Sequence, residues 1–137
     1  FNYTDKPYLT QYYTRRILDV FYDDSPYVGW NGDEDEGQMG AWFVLSSMGL
    51  FEMNGGTSPD LRIDITSPLF NQIRINLNPN YYKGKSFTIN AYNNSAKNIY
   101  IQSAKLNGKA LTGNFISFKD LVAGGKLEMN MGPKPVK

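Results

Sequence analysis

The sequence contains no cysteine and no histidine. Without cysteine there is neither a disulfide framework nor a thiolate metal site. Without histidine there is no Ser-His-Asp triad, no Cys-His pair and none of the common zinc sites. Proton transfer by this chain therefore falls to Asp, Glu, Lys or Tyr. Any metal must be held by oxygen, which points to calcium or magnesium. No apolar run approaches the length of a membrane span and no signal-peptide pattern opens the chain, so no membrane partner is expected. The first residue is Phe1 rather than Met, from which a processed or excised polypeptide is expected.

Net charge is nearly absent too, at +1, but it is unevenly spread. Residues 1–58 carry three basic side chains against nine acids, a balance of −6. Residues 59–137 carry eleven basic side chains against four acids, a balance of +7. Opposite charge in the two halves suggests two units able to attract each other. The lysines of the second half are scattered singly along strand-like runs, where they discourage edge-to-edge association. No nucleic-acid partner is expected from such a pattern.

With 41% hydrophobic residues, the 137-residue chain can bury a core. Residues 10–22 read as a helix, with Tyr13, Ile17, Val20 and Phe21 on its apolar face and Arg15, Arg16 and Asp19 on a solvated one. Pro26 closes it. A second helix is predicted over residues 36–48, with Met39, Trp42, Phe43 and Val44 as a broad apolar stripe and Gly49 as its left-handed terminator. Residues 54–59 form a turn-rich linker, after which the period changes to two. Strands are predicted at residues 61–65, 73–77, 87–91, 99–102 and 126–131. Asn107-Gly108 marks a tight hairpin, and Ser117 caps a single helical turn. At least six short strands suggest a small antiparallel sandwich. Two helices cannot bury two apolar stripes alone. Their outer face is expected to pack on the sheet, on a second copy of the chain, or on helices lying outside it.

The feature that carries chemistry is Gly32-Asp33-Glu34-Asp35-Glu36-Gly37. Four consecutive carboxylates repel one another and resist shared burial. One reading is a solvated loop whose acids favour the positive end of the following helix. The other is catalysis. Paired carboxylates without a nucleophile triad point to glycoside hydrolysis, in which one acid protonates the leaving oxygen and another attacks the sugar or activates water. The acid and base of an inverting enzyme stand roughly 6.5–9.5 Å apart to admit that water. Asp33 and Asp35 are too close in the chain for that couple, so both belong on one side of a substrate and the opposing acid comes from elsewhere. Trp30, between glycine and asparagine, can stack on a sugar face, whereas Trp42 reads as core. Trp30 and Glu34 are the substrate-binding candidates. The run lacks EF-hand spacing, which excludes that calcium motif. Asn2-Tyr3-Thr4 and Asn93-Asn94-Ser95 match the glycosylation sequon, a motif short enough to arise by chance.

The segment from Gly32 to Val44 resembles the signature of the glycoside hydrolase family 92 α-mannosidases, α-1,2-mannosidases among them. The likeness continues in order through Ser46-Ser47-Met48-Gly49-Leu50-Phe51, Ser67-Pro68-Leu69-Phe70, Asn93-Asn94-Ser95, Tyr100-Ile101-Gln102-Ser103, Leu106-Asn107-Gly108 and Met131-Gly132-Pro133. The resemblance implies a calcium-dependent, inverting, exo-acting enzyme that removes α-linked mannose from mannans and N-glycans. It implies an α+β piece from the C-terminal end of such an enzyme. Residues 1–58 would be the last helices of an (α/α)6-barrel catalytic domain, and residues 59–137 a small antiparallel β-sandwich. By the same resemblance Asp35, and after it Asp33, serves as general base, while the catalytic acid and most of the calcium site lie outside the chain. The fragment alone is then inactive, its partners are a mannose-containing glycan and the rest of the parent domain, and the parent is periplasmic or secreted. The alternative is a non-catalytic carbohydrate-binding or packing module.

Overall fold

Proline opens the first helix. In the computed structural model, which describes residues 1–27 and 29–136, α1 spans Pro7–Phe21 with proline in its first turn. It starts earlier than the periodicity predicts, because a residue without an N–H loses nothing where the helix offers no acceptor. Its packing departs from the prediction, although Ile17 is partly buried and Asp19 is exposed as expected. Gln11, Thr14 and Leu18 are buried, whereas Tyr13, Val20 and Phe21 are exposed. Hydrogen bonds set this rotation. Gln11 Oε1 accepts the Ile101 N–H at 2.8 Å. The Arg15 guanidinium donates to the carbonyls of Pro68 and Ser95. Arg15 is thus half-buried rather than solvated, and desolvation pulls its pKa below the ordinary arginine value. Arg16 does remain on a solvated face, 3.4 Å from Asp19.

A 3-10 turn, Asp35–Gly37, leads into α2, Gln38–Ser47. Gly49 follows it at φ +75°, as predicted for a left-handed terminator. The strands are β1 (Leu50–Phe51), β2 (Arg62–Ile65), β3 (Gln72–Asn76), β4 (Ser86–Tyr92), β5 (Tyr100–Leu106), β6 (Lys109–Ala110), β7 (Phe115–Ser117) and β8 (Gly125–Gly132), with the short helix α3 (Phe118–Ala123) before the last. They form a three-stranded sheet, β1-β2-β7, and a five-stranded sheet, β3-β4-β8-β5-β6. The turn at residues 54–59, the expected boundary between the two units, joins β1 and β2, which are hydrogen-bonded neighbours.

One expectation about the sheets fails. β4 and β8 run parallel, so the five-stranded sheet is mixed rather than antiparallel. A period of two is common to both directions and cannot distinguish them. The path from β4 to β8 through β5, β6, β7 and α3 is ample for a parallel pair, which a tight hairpin could never make. The local turn signals hold. Asn107 and Gly108 both adopt positive φ between β5 and β6, as a type I′ turn requires. Ser117 Oγ accepts the Asp120 N–H at 3.0 Å and caps α3. The core draws on both sheets, with Ile63 and Ile65 from β2, Phe87 and Ile89 from β4, Ile116 from β7, and Leu127 and Met129 from β8. These side chains form one cluster shared by the two sheets.

Candidate active site

The loop between α1 and α2 is closed at its neck. Tyr22 and Trp30 form an isolated antiparallel bridge, and the Asp23 N–H donates to Gly29 O at 2.9 Å. A Cβ on Gly29 would meet Ser25 O at 2.8 Å, so the neck requires glycine. Beyond Trp30 the backbone enters the left-handed region three times, at Gly32 (φ +88°), Glu36 (φ +57°) and Gly37 (φ +75°). The two glycines that bracket the acids adopt it freely, whereas Glu36 does so at a cost of about 1–2 kcal/mol. Strain of this kind persists where the surroundings over-determine the conformation, commonly at functional sites.

Glu34 supplies part of that constraint. Both of its carboxylate oxygens accept the Gly40 N–H, at 2.9 and 3.1 Å. Gly40 lies in the first turn of α2, where N–H groups have no helical acceptor. The negative charge also meets the positive end of the helix dipole. Glu34 is therefore tied to the backbone. Asp33 and Asp35, on either side of it, are exposed, and neither carboxylate has a hydrogen-bond partner among the described residues.

Aromatic rings complete the surroundings. Tyr22 stacks on Trp42 with centroids 5.6 Å apart and tilts against Phe43 at 5.1 Å. Its hydroxyl donates to Met39 O at 3.2 Å. Burial, and after it the Glu34 carboxylate, pushes the Tyr22 phenol up, which keeps it a neutral donor. Tyr22, Trp30, Glu34 and Phe43 wall a hollow of about 280 Å³. The two expected substrate-binding residues, Trp30 and Glu34, thus come together. Asp33 and Asp35 are not part of that wall. Tyr22 and Phe43 also belong to it; Phe43 was expected only as part of the apolar stripe of the second helix, and Tyr22 carried no signal of its own. Trp42 is half-buried against the Tyr22 ring, close to its predicted core role.

The acid run does not form a calcium cradle by itself. Among the described residues no three acidic side chains converge as metal ligands. Glu34 is already turned onto Gly40. The other three carboxylates, Asp33, Asp35 and Glu36, are exposed and do not converge with it, which leaves too few oxygens for the six to eight that calcium prefers.

A loop of carboxylates fixed at a helix entrance beside an aromatic hollow can bind a polar, ring-shaped molecule and accept a proton near it. Residues 1–133 match the model of the glycosyl hydrolase family 92 catalytic domain. The chain belongs to that family. It is 32% identical over 134 residues to an uncharacterized secreted glycosidase of Arthroderma benhamiae, covering 96% of this chain and 16% of that protein. It is also similar to the family 92 inverting mannosidase of Bacteroides thetaiotaomicron VPI-5482, at 36% identity and a TM-score of 0.84, covering 98% of this chain and 17% of the other. A family 92 α-mannosidase of Bacteroides thetaiotaomicron in complex with mannoimidazole gives 29% identity and a TM-score of 0.87, again with 98% and 17% coverage. The chain therefore spans about one sixth of the length of the family 92 proteins it matches. Among the described residues no helix is long and apolar enough to cross a membrane.

Proposed function

We propose that this chain is the part of an inverting exo-α-mannosidase that supplies the general base. Asp35 takes the proton of the attacking water, and Asp33 orients that water or tunes Asp35. The observation that carries the reading is the acid loop, held by the Glu34 bond to Gly40 and by three left-handed residues, with both aspartates left free to face a substrate. An exposed carboxylate with no internal partner is available for proton transfer, and a fixed backbone is what general-base geometry needs. Trp30 stands next to the loop, half-exposed, where it can meet the face of a mannose unit. Glu34 acts at one remove, as the residue that keeps the loop in place.

In this reading the catalytic acid, across the scissile bond from Asp35, belongs to the longer protein, and so do the ligands of the calcium ion. Residues 1–58 are the last helices of its (α/α)6 barrel, and residues 59–137 its β-sandwich. The remaining five-sixths of a family member's length covers Tyr13, Val20, Phe43 and Val44, whose exposure is the mark of a face built for packing. The fragment alone is inactive because half of the carboxylate pair is elsewhere, and without its cover it associates with itself through the same face. The parent protein works outside the cytoplasm, like the secreted relative.

The test is Asp35→Asn in the full-length protein, with release of mannose from an α-mannoside as the readout. The expected loss in kcat is roughly 10²–10⁴-fold, the usual contribution of a general base, with the circular dichroism spectrum unchanged. A variant with native kcat would remove Asp35 from this role.

A further inference from the structure

Three Asn-Gly pairs occur along the chain, Asn31-Gly32, Asn54-Gly55 and Asn107-Gly108. In each the glycine nitrogen can reach back to the asparagine side-chain amide and close a five-membered ring, with no side chain on the glycine to hinder it. The structure treats the three differently.

Asn54 lies in the exposed turn between β1 and β2. The Glu52 carboxylate accepts the Asn54 N–H at 2.7 Å and the Gly56 N–H at 2.9 Å. Between them the Gly55 N–H has no partner among the described residues, and neither has the Asn54 side chain. Gly55 adopts φ +58° with nothing within 4 Å of its Cβ position, so the space around the pair is open. The Asn54 carbonyl, in contrast, accepts twice, from the Thr57 hydroxyl at 2.6 Å and from the Thr57 N–H at 3.1 Å. When the Gly55 N–H gives up its proton, the charge is shared between that nitrogen and the Asn54 carbonyl oxygen. Donors already aimed at the oxygen where charge develops stabilise the anion, as in an oxyanion hole.

The other two pairs lack this arrangement. Asn107 is tied within the β5–β6 hairpin: its Oδ1 accepts the Lys126 N–H at 2.8 Å, and its own N–H donates to Lys126 O at 2.9 Å. Asn31 is exposed, but no donor meets its carbonyl among the described residues.

We infer that Asn54 is a self-modification site, converted through a succinimide to isoaspartate and aspartate. Solvent hydroxide takes the Gly55 N–H proton, and the nitrogen attacks Asn54 Cγ. The N–Cγ bond forms, the Cγ–Nδ2 bond breaks, and the amide nitrogen leaves as ammonia after taking a proton from water. A second water opens the ring at either carbonyl. The nucleophile is held within its own turn, which lowers the entropic part of the barrier. Isoaspartate adds a methylene to the main chain of the β1–β2 turn and a carboxylate close to that of Glu52. The inference does not rest on the proposed function, since neither Asp33 nor Asp35 takes part.

Incubation of the full-length protein at mildly alkaline pH tests it, followed by peptide mass mapping and labelling with protein isoaspartate methyltransferase. The expected result is conversion at Asn54 ahead of Asn31 and Asn107, faster as pH rises, with the label at this turn lost in Asn54→Gln. Thr57→Val, in an exposed turn, should slow conversion several-fold, whereas Thr57→Ser should keep the parent rate. In urea the three sites should converge, because only the local Asn-Gly chemistry remains. Conversion at Asn31 or Asn107 ahead of Asn54 in the folded protein overturns the inference. So does a parent rate in Thr57→Val, or the same order of sites persisting in urea.

Discussion

Gly49 offers the most direct test of how the helical segment is joined to the β-unit. It adopts φ +75°, and an added Cβ would stand 2.9 Å from both Cδ and N of Pro68. Pro68 is fully buried, and its carbonyl accepts from Arg15 and Asn94. Neither the ring nor the backbone there can yield easily. Alanine at position 49 incurs about 1–2 kcal/mol for the left-handed backbone. Steric conflict with a fixed neighbour adds about 1–3 kcal/mol. The reduced entropy of the unfolded chain returns about 0.4–1 kcal/mol. The net expectation is a loss of about 2–4 kcal/mol. Gly55→Ala is the control, since Gly55 has φ +58° and nothing within 4 Å of its Cβ position. It should cost about 1 kcal/mol or less, because only the backbone and entropy terms act. Urea unfolding followed by circular dichroism measures both, and Gly49→Ala should lower Tm by at least about 4 °C. If the two substitutions cost the same, the close approach of Pro68 to the end of α2 is not what makes glycine necessary, and the reasoning fails.

Two further outcomes follow from the caps and charges. Ser117→Ala removes the side-chain acceptor of the Asp120 N–H and should destabilise by about 1 kcal/mol in the same assay, whereas Ser117→Thr should not. Glu128 has its pKa held below the ordinary carboxylate range, first by the hydrogen bond from Lys126 at 3.1 Å, against some desolvation, and then by Tyr92 at 3.2 Å. A depressed folded pKa gives a contribution present above the unfolded value and lost as pH falls through the folded one. Glu128→Gln should therefore flatten the loss of stability between neutral pH and about pH 3, and an identical pH profile in the variant would show that the carboxylate is not paired.

Local chemistry was legible residue by residue. Gly49, the Asn107-Gly108 pair and the Ser117 cap all act within a few positions of themselves, where backbone sterics and one hydrogen bond decide the outcome. The acid run was visible as a loop entering a helix. The attachment of Glu34 to Gly40 was not, because they are six residues apart and meet only through the left-handed turn at Glu36 and Gly37. The orientation of α1 was misread for a related reason. Periodicity finds an apolar stripe but not what faces it, and here Gln11 and Arg15 are drawn to backbone groups of the β-unit. The aromatic hollow was half legible: Trp30 stood out by its glycine and asparagine neighbours, but Phe43 read only as part of an apolar stripe and Tyr22 as the end of a helix.

The residue inventory determined the available chemistry. A chain without histidine or cysteine but with four adjacent carboxylates is confined to acid, base and oxygen-ligand roles. The ordered motifs determined the family. Tertiary structure alone decided which carboxylate became a helix cap, which strands ran parallel and which face of α1 turned inward. Those outcomes depend on contacts between residues as distant as Gln11 and Ile101, 90 positions apart. No local preference encodes such a pairing, because it forms only when the packing of every other element brings the two groups within reach.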